Sequence, residues 1–162
     1  MSHDDGYALW PFGLRLQSDV NPGFTQELQE ITVGADAAIQ PDGSPAPGAV
    51  DRTLLRQELV ALMKRAHRGT VREIEYEVVR EGDRVVELKY PRPGNLQGWH
   101  YRLYVGAPDG RFADWLVWLV ASRKPDSTLS KIWDLIQNEH VTAAVARLKV
   151  WIVARMADRS GC

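Results

Sequence analysis

The sequence predicts an α+β domain: a small, mainly antiparallel sheet of four or five strands packed by helices on one side, with an acidic N-terminal arm. Three observations predict it. Between Val71 and Ala121, segments of strand-like patterning are separated by Glu81-Gly82-Asp83, Pro91-Arg92-Pro93-Gly94-Asn95 and Ala107-Pro108-Asp109-Gly110. Apolar residues at three- and four-residue spacing stand on either side of that block, as on helices with one buried face. Charge divides the chain: residues 1–50 hold one basic and seven acidic groups, a balance of −6, and the other 112 hold 19 basic and 14 acidic, a balance of +5.

Taken in order, residues 7–33 carry scattered apolar positions. Leu14 and Leu16 alternate with polar neighbours as in a short strand, and Thr25–Val33 fits a helical turn or a strand equally. Residues 34–49 are a Pro/Gly/Ala linker, so the arm and linker span 1–49 and the α+β domain 50–162. Asp51 suits the N-cap of a helix reaching about His67, with Leu55, Leu59, Leu62 and Ala66 inward and Gly69 ending it. In Val71–Arg80, Ile74, Tyr76 and Val78 alternate with Glu73, Glu75 and Glu77, whose acidic row reads as a solvated face pairing with Lys or Arg on the next strand. Arg84–Tyr90 follows. Trp99, Tyr101, Leu103 and Val105 then alternate with His100, Arg102 and Tyr104. Trp115–Ala121, apolar on both faces, predicts a central strand that Pro125 stops. Asp126 or Ser127 caps a helix with Leu129, Ile132, Trp133 and Ile136 inward. A last helix, about Val141–Met156, buries Val141, Val145, Leu148, Ile152 and Met156.

Composition narrows the function classes. With 44% hydrophobic and 25% charged residues the chain is an ordinary globular protein, and no apolar run approaches the roughly 18 residues of a membrane span. The start is acidic and unlike a signal peptide, so a cytoplasmic location is expected. One cysteine, Cys162, excludes an internal disulfide and a cysteine-based zinc site, and the four histidines lack metal-ligand spacing. Glycine-rich phosphate loops, His-Glu-x-x-His and Gly-x-Ser-x-Gly are absent; neither metal nor cofactor is expected.

What remains is basic. Lys89 ends one strand, Arg102 lies within the next, and Arg123 and Lys124 close the apolar strand, so antiparallel neighbours could bring them to one sheet surface beside His100 and Tyr104. Clustered cations hold phosphates and stabilise charge developing in phosphoryl transfer, and a nearby His or Tyr can shuttle a proton. The plain alternative is strand-end solubility.

Leu88-Lys89, Pro93-Gly94 with Gly98, Tyr101-Arg102-Leu103 and Trp118-Leu119-Val120 running to Arg123-Lys124-Pro125 make the chain resemble the RelE/ParE superfamily of bacterial toxins, particularly its RelE- and HigB-like members. The resemblance covers about residues 51–150 in element order, and these short segments in residue type. It implies metal-independent cleavage of messenger RNA, commonly on the ribosome, by attack of the RNA 2′-hydroxyl, and a cognate antitoxin as partner. Lys89, Arg102 and Arg123 would hold phosphate and stabilise the transition state, with His100 or Tyr104 moving the proton. Lys124, Arg92 and Lys131 would add RNA contacts. The chain departs from the family in its strand at 71–80, where a second helix is usual, in its acidic arm, and in lacking a C-terminal catalytic Tyr after Trp151.

Two further readings stand beside the ribonuclease. One is a non-catalytic protein-binding or regulatory module of phage or mobile-element type, meeting its partner through Trp10, Phe12, Trp99 and Tyr104. The other is an immunity-type inhibitor whose acidic arm mimics a nucleic acid. Trp115, Trp118, Trp133 and Trp151 lie on apolar faces and read as core.

Overall fold

The computed structural model describes residues 10–33, 52–80, 82, 84–90, 99–125 and 130–160. The chain forms β1 (Gln17–Val20), α1 (Pro22–Val33), α2 (Arg52–Arg68), β2 (Tyr76–Arg80), β3 (Val85–Tyr90), β4 (Trp99–Gly106), β5 (Trp115–Pro125) and α3 (Ser130–Ser160). The sheet runs β1-β5-β4-β3-β2. Its β2–β3, β3–β4 and β4–β5 pairs are antiparallel, and β1 lies parallel to β5, so the sheet is mixed.

Local chemistry sets the helix boundaries. Asn21 is an N-cap whose side-chain oxygen accepts the Gly23 amide at 2.8 Å, and Pro22 fills the first helical position, where no amide is needed. Thr25–Val33 is therefore helical. At the end of α2, the Gly69 amide donates to Ala66 O and the Thr70 amide to Arg65 O, with Gly69 at φ 76°, closing the helix in a Schellman motif. Leu55, Leu59, Leu62 and Ala66 are buried as their spacing predicts. Asp51, the linker 34–49, the loop at 91–98 and the capping residues 126–129 lie outside the described residues.

Helices cover both faces of the sheet, not one. α1 and α2 meet the face bearing Val86, Leu88, Tyr101, Leu103, Leu116 and Trp118, and α3 meets the face bearing Val85, Tyr104, Val117, Leu119 and Val120. The reason is β5, whose residues Leu116–Ala121 are all buried, so both its faces need an apolar layer. A bulge deepens this: Tyr104 pairs with Val120 but Val105 with Trp118, which inserts Leu119 and reverses the alternation beyond it. α3 is one helix of 31 residues where two are expected, since nothing between Ile136 and Val141 breaks it. Ile132 and Met156, expected inward, are exposed on it.

Other patterns also yield to tertiary context. Glu73–Glu75 is a 3₁₀ turn, so the alternation expected from residue 73 begins only at β2; Ile74 faces solvent and Glu75 is buried against Arg65. The described part of the expected acidic arm, residues 10–33, belongs to the domain: β1 pairs in the sheet, and Trp10 and Phe24 are in the core. The strand there is Gln17–Val20, with Leu14 and Leu16 preceding it in the open.

Where β1 ends, an ion pair continues the edge of β5. Arg147 of α3 binds Glu27 of α1 at 2.8 Å and donates to Leu119 O, while Glu27 accepts the Ala121 amide at 3.3 Å. The pair thus supplies one acceptor and one donor where a neighbouring strand is missing. Gly23 leaves the room, since a Cβ there would lie 2.7 Å from the Arg147 guanidinium.

Gly69→Ala places a side chain at φ 76° and a Cβ 3.2 Å from the Gly13 backbone. We expect a loss of about 1–2 kcal/mol or more, measured by urea denaturation.

Candidate functional site

β3 and β4 bring Lys89 opposite Arg102 and Glu87 opposite Tyr104; β4 and β5 bring Arg102 opposite Ser122 and His100 opposite Lys124. Cross-strand partners share a face, so Lys89, His100, Arg102, Tyr104 and Lys124 gather on the α3 side, as the sequence suggested. Arg123 does not join them. The Leu119 bulge turns it to the opposite face, in register with Tyr101, whose phenol its side chain hydrogen-bonds. Lys131 is exposed on α3, and Arg92 lies outside the described residues.

α3 closes over this polar row. Arg102 is buried with its Nε 3.3 Å from Glu87 Oε1, and its Nη1 donates to Tyr101 O at 3.0 Å. The other Glu87 oxygen accepts Gln137 Nε2 at 2.6 Å. Lys89 pairs with Glu77 at 2.9 Å, fulfilling for that residue the expected cross-strand pairing of the acidic row. Lys124 sits 4.8 Å above the Trp133 ring. Among the aromatics proposed as exposed contacts, Trp10 and Tyr104 are instead buried, and the side chain of Trp99 lies outside the described residues.

Burial sets the protonation chemistry. It drives the Tyr104 phenol well above its ordinary value, and Glu87 beside it adds to the effect, so the group stays neutral and cannot serve as a base. Burial also pulls the Arg102 guanidinium down while Glu87 opposes it. His140 of α3, its ring 6.1 Å from Tyr104, is lowered by desolvation against the opposing pull of Glu27, Glu139 and Glu87. Tyr104 OH lies among Glu87, Arg102 and Ser122 without a hydrogen bond of ordinary geometry; Ser122 Oγ and His140 Nδ1 are likewise buried without one.

The arrangement is a neutralised polar layer: one buried cation, one buried carboxylate, a phenol and an imidazole. Among the described residues no three His, Cys, Asp or Glu side chains converge as metal ligands, and no helix is long and apolar enough to cross a membrane. The sequence reading missed Glu87, Ser122, Gln137 and His140. Glu87 gave a signal, a lone acid within Val85-Val86-Glu87-Leu88. So did Trp133, Gln137 and His140, which share one face at helical spacing.

Surface grooves lie elsewhere. One of about 500 Å³ runs along α2, and one of about 320 Å³ is lined by Leu14, Leu16, Ser18, His67 and Arg68. Leu14 and Leu16 are 62% and 73% exposed there. Strand addition at this edge is nevertheless blunted, because the Leu16 amide is taken by Asp114 and the Val20 amide by Asp19.

Comparison of the whole chain with protein-family models, with curated proteins and with solved structures found no match in any of the three.

Glu87→Ala strands Arg102 without its counter-ion and is expected to lower stability by about 3–5 kcal/mol in urea denaturation. The double change Glu87→Leu with Arg102→Met should recover most of that loss. His140 gives a pH dependence of defined sign. Its folded-state value lies below 6.5, so its contribution is complete above that pH and is lost as pH falls through the folded value. Thermal melts from neutral to acid pH should show a decline that His140→Gln flattens.

Proposed function

We propose that the chain is a non-catalytic binding module whose sheet is structural. One observation carries this: the cations expected to hold phosphate are already engaged, Arg102 by buried Glu87 beneath α3 and Lys89 by Glu77 at the surface. A phosphate reaching Arg102 has to displace a carboxylate from a desolvated pair and move a helix, and removing one partner of such a pair is strongly unfavourable. Tyr104 is a buried neutral phenol and Arg123 faces the other layer, so the proposed catalytic group is divided in space. A partner surface is available on α3, where Val150, Val153 and Met156 are 70%, 66% and 48% exposed. Large apolar side chains grouped on one outward helix face are the anchors that protein partners use.

The RelE-like ribonuclease is the second reading. Its support is the shared face of Lys89, Arg102, His100 and Lys124.

Induced expression in bacteria separates the two. Under the proposal, soluble wild-type protein leaves growth and messenger RNA intact. Growth arrest with cleaved transcripts, relieved by Lys124→Ala or Lys89→Ala at unchanged melting temperature, would establish the ribonuclease instead. Val150→Asp with Val153→Asp is expected to keep the melting temperature while abolishing association with whatever protein partner co-purifies.

A further inference from the structure

Three exposed cations that share one helix face, with no carboxylate partner among the described residues, lie on a different element, α2. We propose that the outward face of α2 binds a polyanion, the sugar–phosphate backbone of single-stranded nucleic acid, and reads its charge rather than its sequence. This goes beyond the module reading and uses none of the sheet residues.

Arg56, Lys64 and Arg68 are all exposed on α2. At 3.6 residues per turn, their spacings of 8 and 12 positions place them within an arc of about 120°, over about 18 Å of helix. The buried Leu55, Leu59, Leu62 and Ala66 occupy the opposite side. Gln57 and Val60 lie within the arc and Ala61 just beyond it, and no acidic residue falls within it. Glu58 projects to one flank, toward Tyr90, and Arg65 turns to Glu75. Among the described residues no carboxylate pairs with Arg56, Lys64 or Arg68. Arg65, Lys89, Arg102, Arg147 and Arg155, by contrast, are each paired.

Arg56, Gln57, Val60, Ala61 and Lys64 line the groove of about 500 Å³; Arg56 also enters an uncharged cleft of about 210 Å³ against α1, and Arg68 the groove beside β1. Helix stability alone does not account for the pattern. Arg68 suits the negative end of the helix dipole, but Arg56 and Lys64 lie away from that end and gain little from it. Charge complementarity therefore names the occupant as a chain of regularly spaced anions. Exposed aromatic rings are absent from the arc, so bases gain no stacking platform and binding follows the backbone.

Three neutralised phosphates on a single strand give a slope of log K against log salt of about −2, a loss of about 20-fold between roughly 50 and 200 mM. Fluorescence anisotropy of the full chain with a labelled oligouridylate and a labelled oligothymidylate measures this. Similar affinity for both, with that slope, is expected. The change Arg56→Ala/Lys64→Ala/Arg68→Ala should bring the slope near zero at unchanged melting temperature, while Lys131→Ala/Lys149→Ala leaves binding intact. The inference is overturned if wild type fails to bind at the lower salt, if the triple variant binds like wild type, or if polyglutamate of equal charge binds as tightly. If binding is lost only with Lys131 and Lys149, the surface lies on α3 and the proposal fails.

Discussion

A central strand that is apolar on both faces is the constraint on which this structure depends. β5 cannot face water on either side, so the chain must provide two helical layers, and it must also finish an edge that the four residues of β1 leave open. The Glu27–Arg147 pair answers the last need. It ties α1 to α3 around the strand's edge and satisfies one amide and one carbonyl of β5. A second tie joins β1 to α3, where Asp19 accepts from Trp151 and Arg155. Burial alone would raise the Asp19 carboxyl, but these bonds hold it below the usual range. The acidic N-terminal residues and the basic helix α3 are thus complementary within one fold.

The same economy of charge shapes the functional reading. A buried guanidinium needs its charge and its donors answered: Arg15 is held by the Phe12, Pro108 and Trp115 carbonyls, whereas Arg102 has the Glu87 carboxylate, and that counter-ion leaves it little attraction for phosphate. Position on a strand does not make a cation available; what stands opposite it and above it decides. α2 presents the contrary case, with Arg56, Lys64 and Arg68 outward and its apolar stripe used in the core.

The elements that the sequence made legible are those whose pattern is settled locally. The α2 stripe, its Gly69 stop, the β2–β3 hairpin and the two-sided apolar run of β5 all follow from periodicity and turn chemistry. The parts that were not legible depend on partners far along the chain. Glu75 looks solvent-facing until Arg65 closes on it. Leu119 looks like any strand residue, yet as a bulge it decides which of Arg123 and Lys124 faces α3. The candidate site was legible in part for the same reason: alternation on β4 correctly grouped His100, Arg102 and Tyr104, but nothing local announced that α3 would lie over them.

The parallel pairing of β1 with β5 has a consequence for how the protein is made. The Leu16 amide and Asp114 are 98 positions apart, so the first strand has no partner until nearly the whole sheet has been synthesised. At about 5–20 residues per second that interval is roughly 5–20 s, during which Trp10 and Phe24 wait without the surface that will hold them. The chain's earliest segment is therefore among the last to dock, and its acidic character keeps it soluble in the meantime.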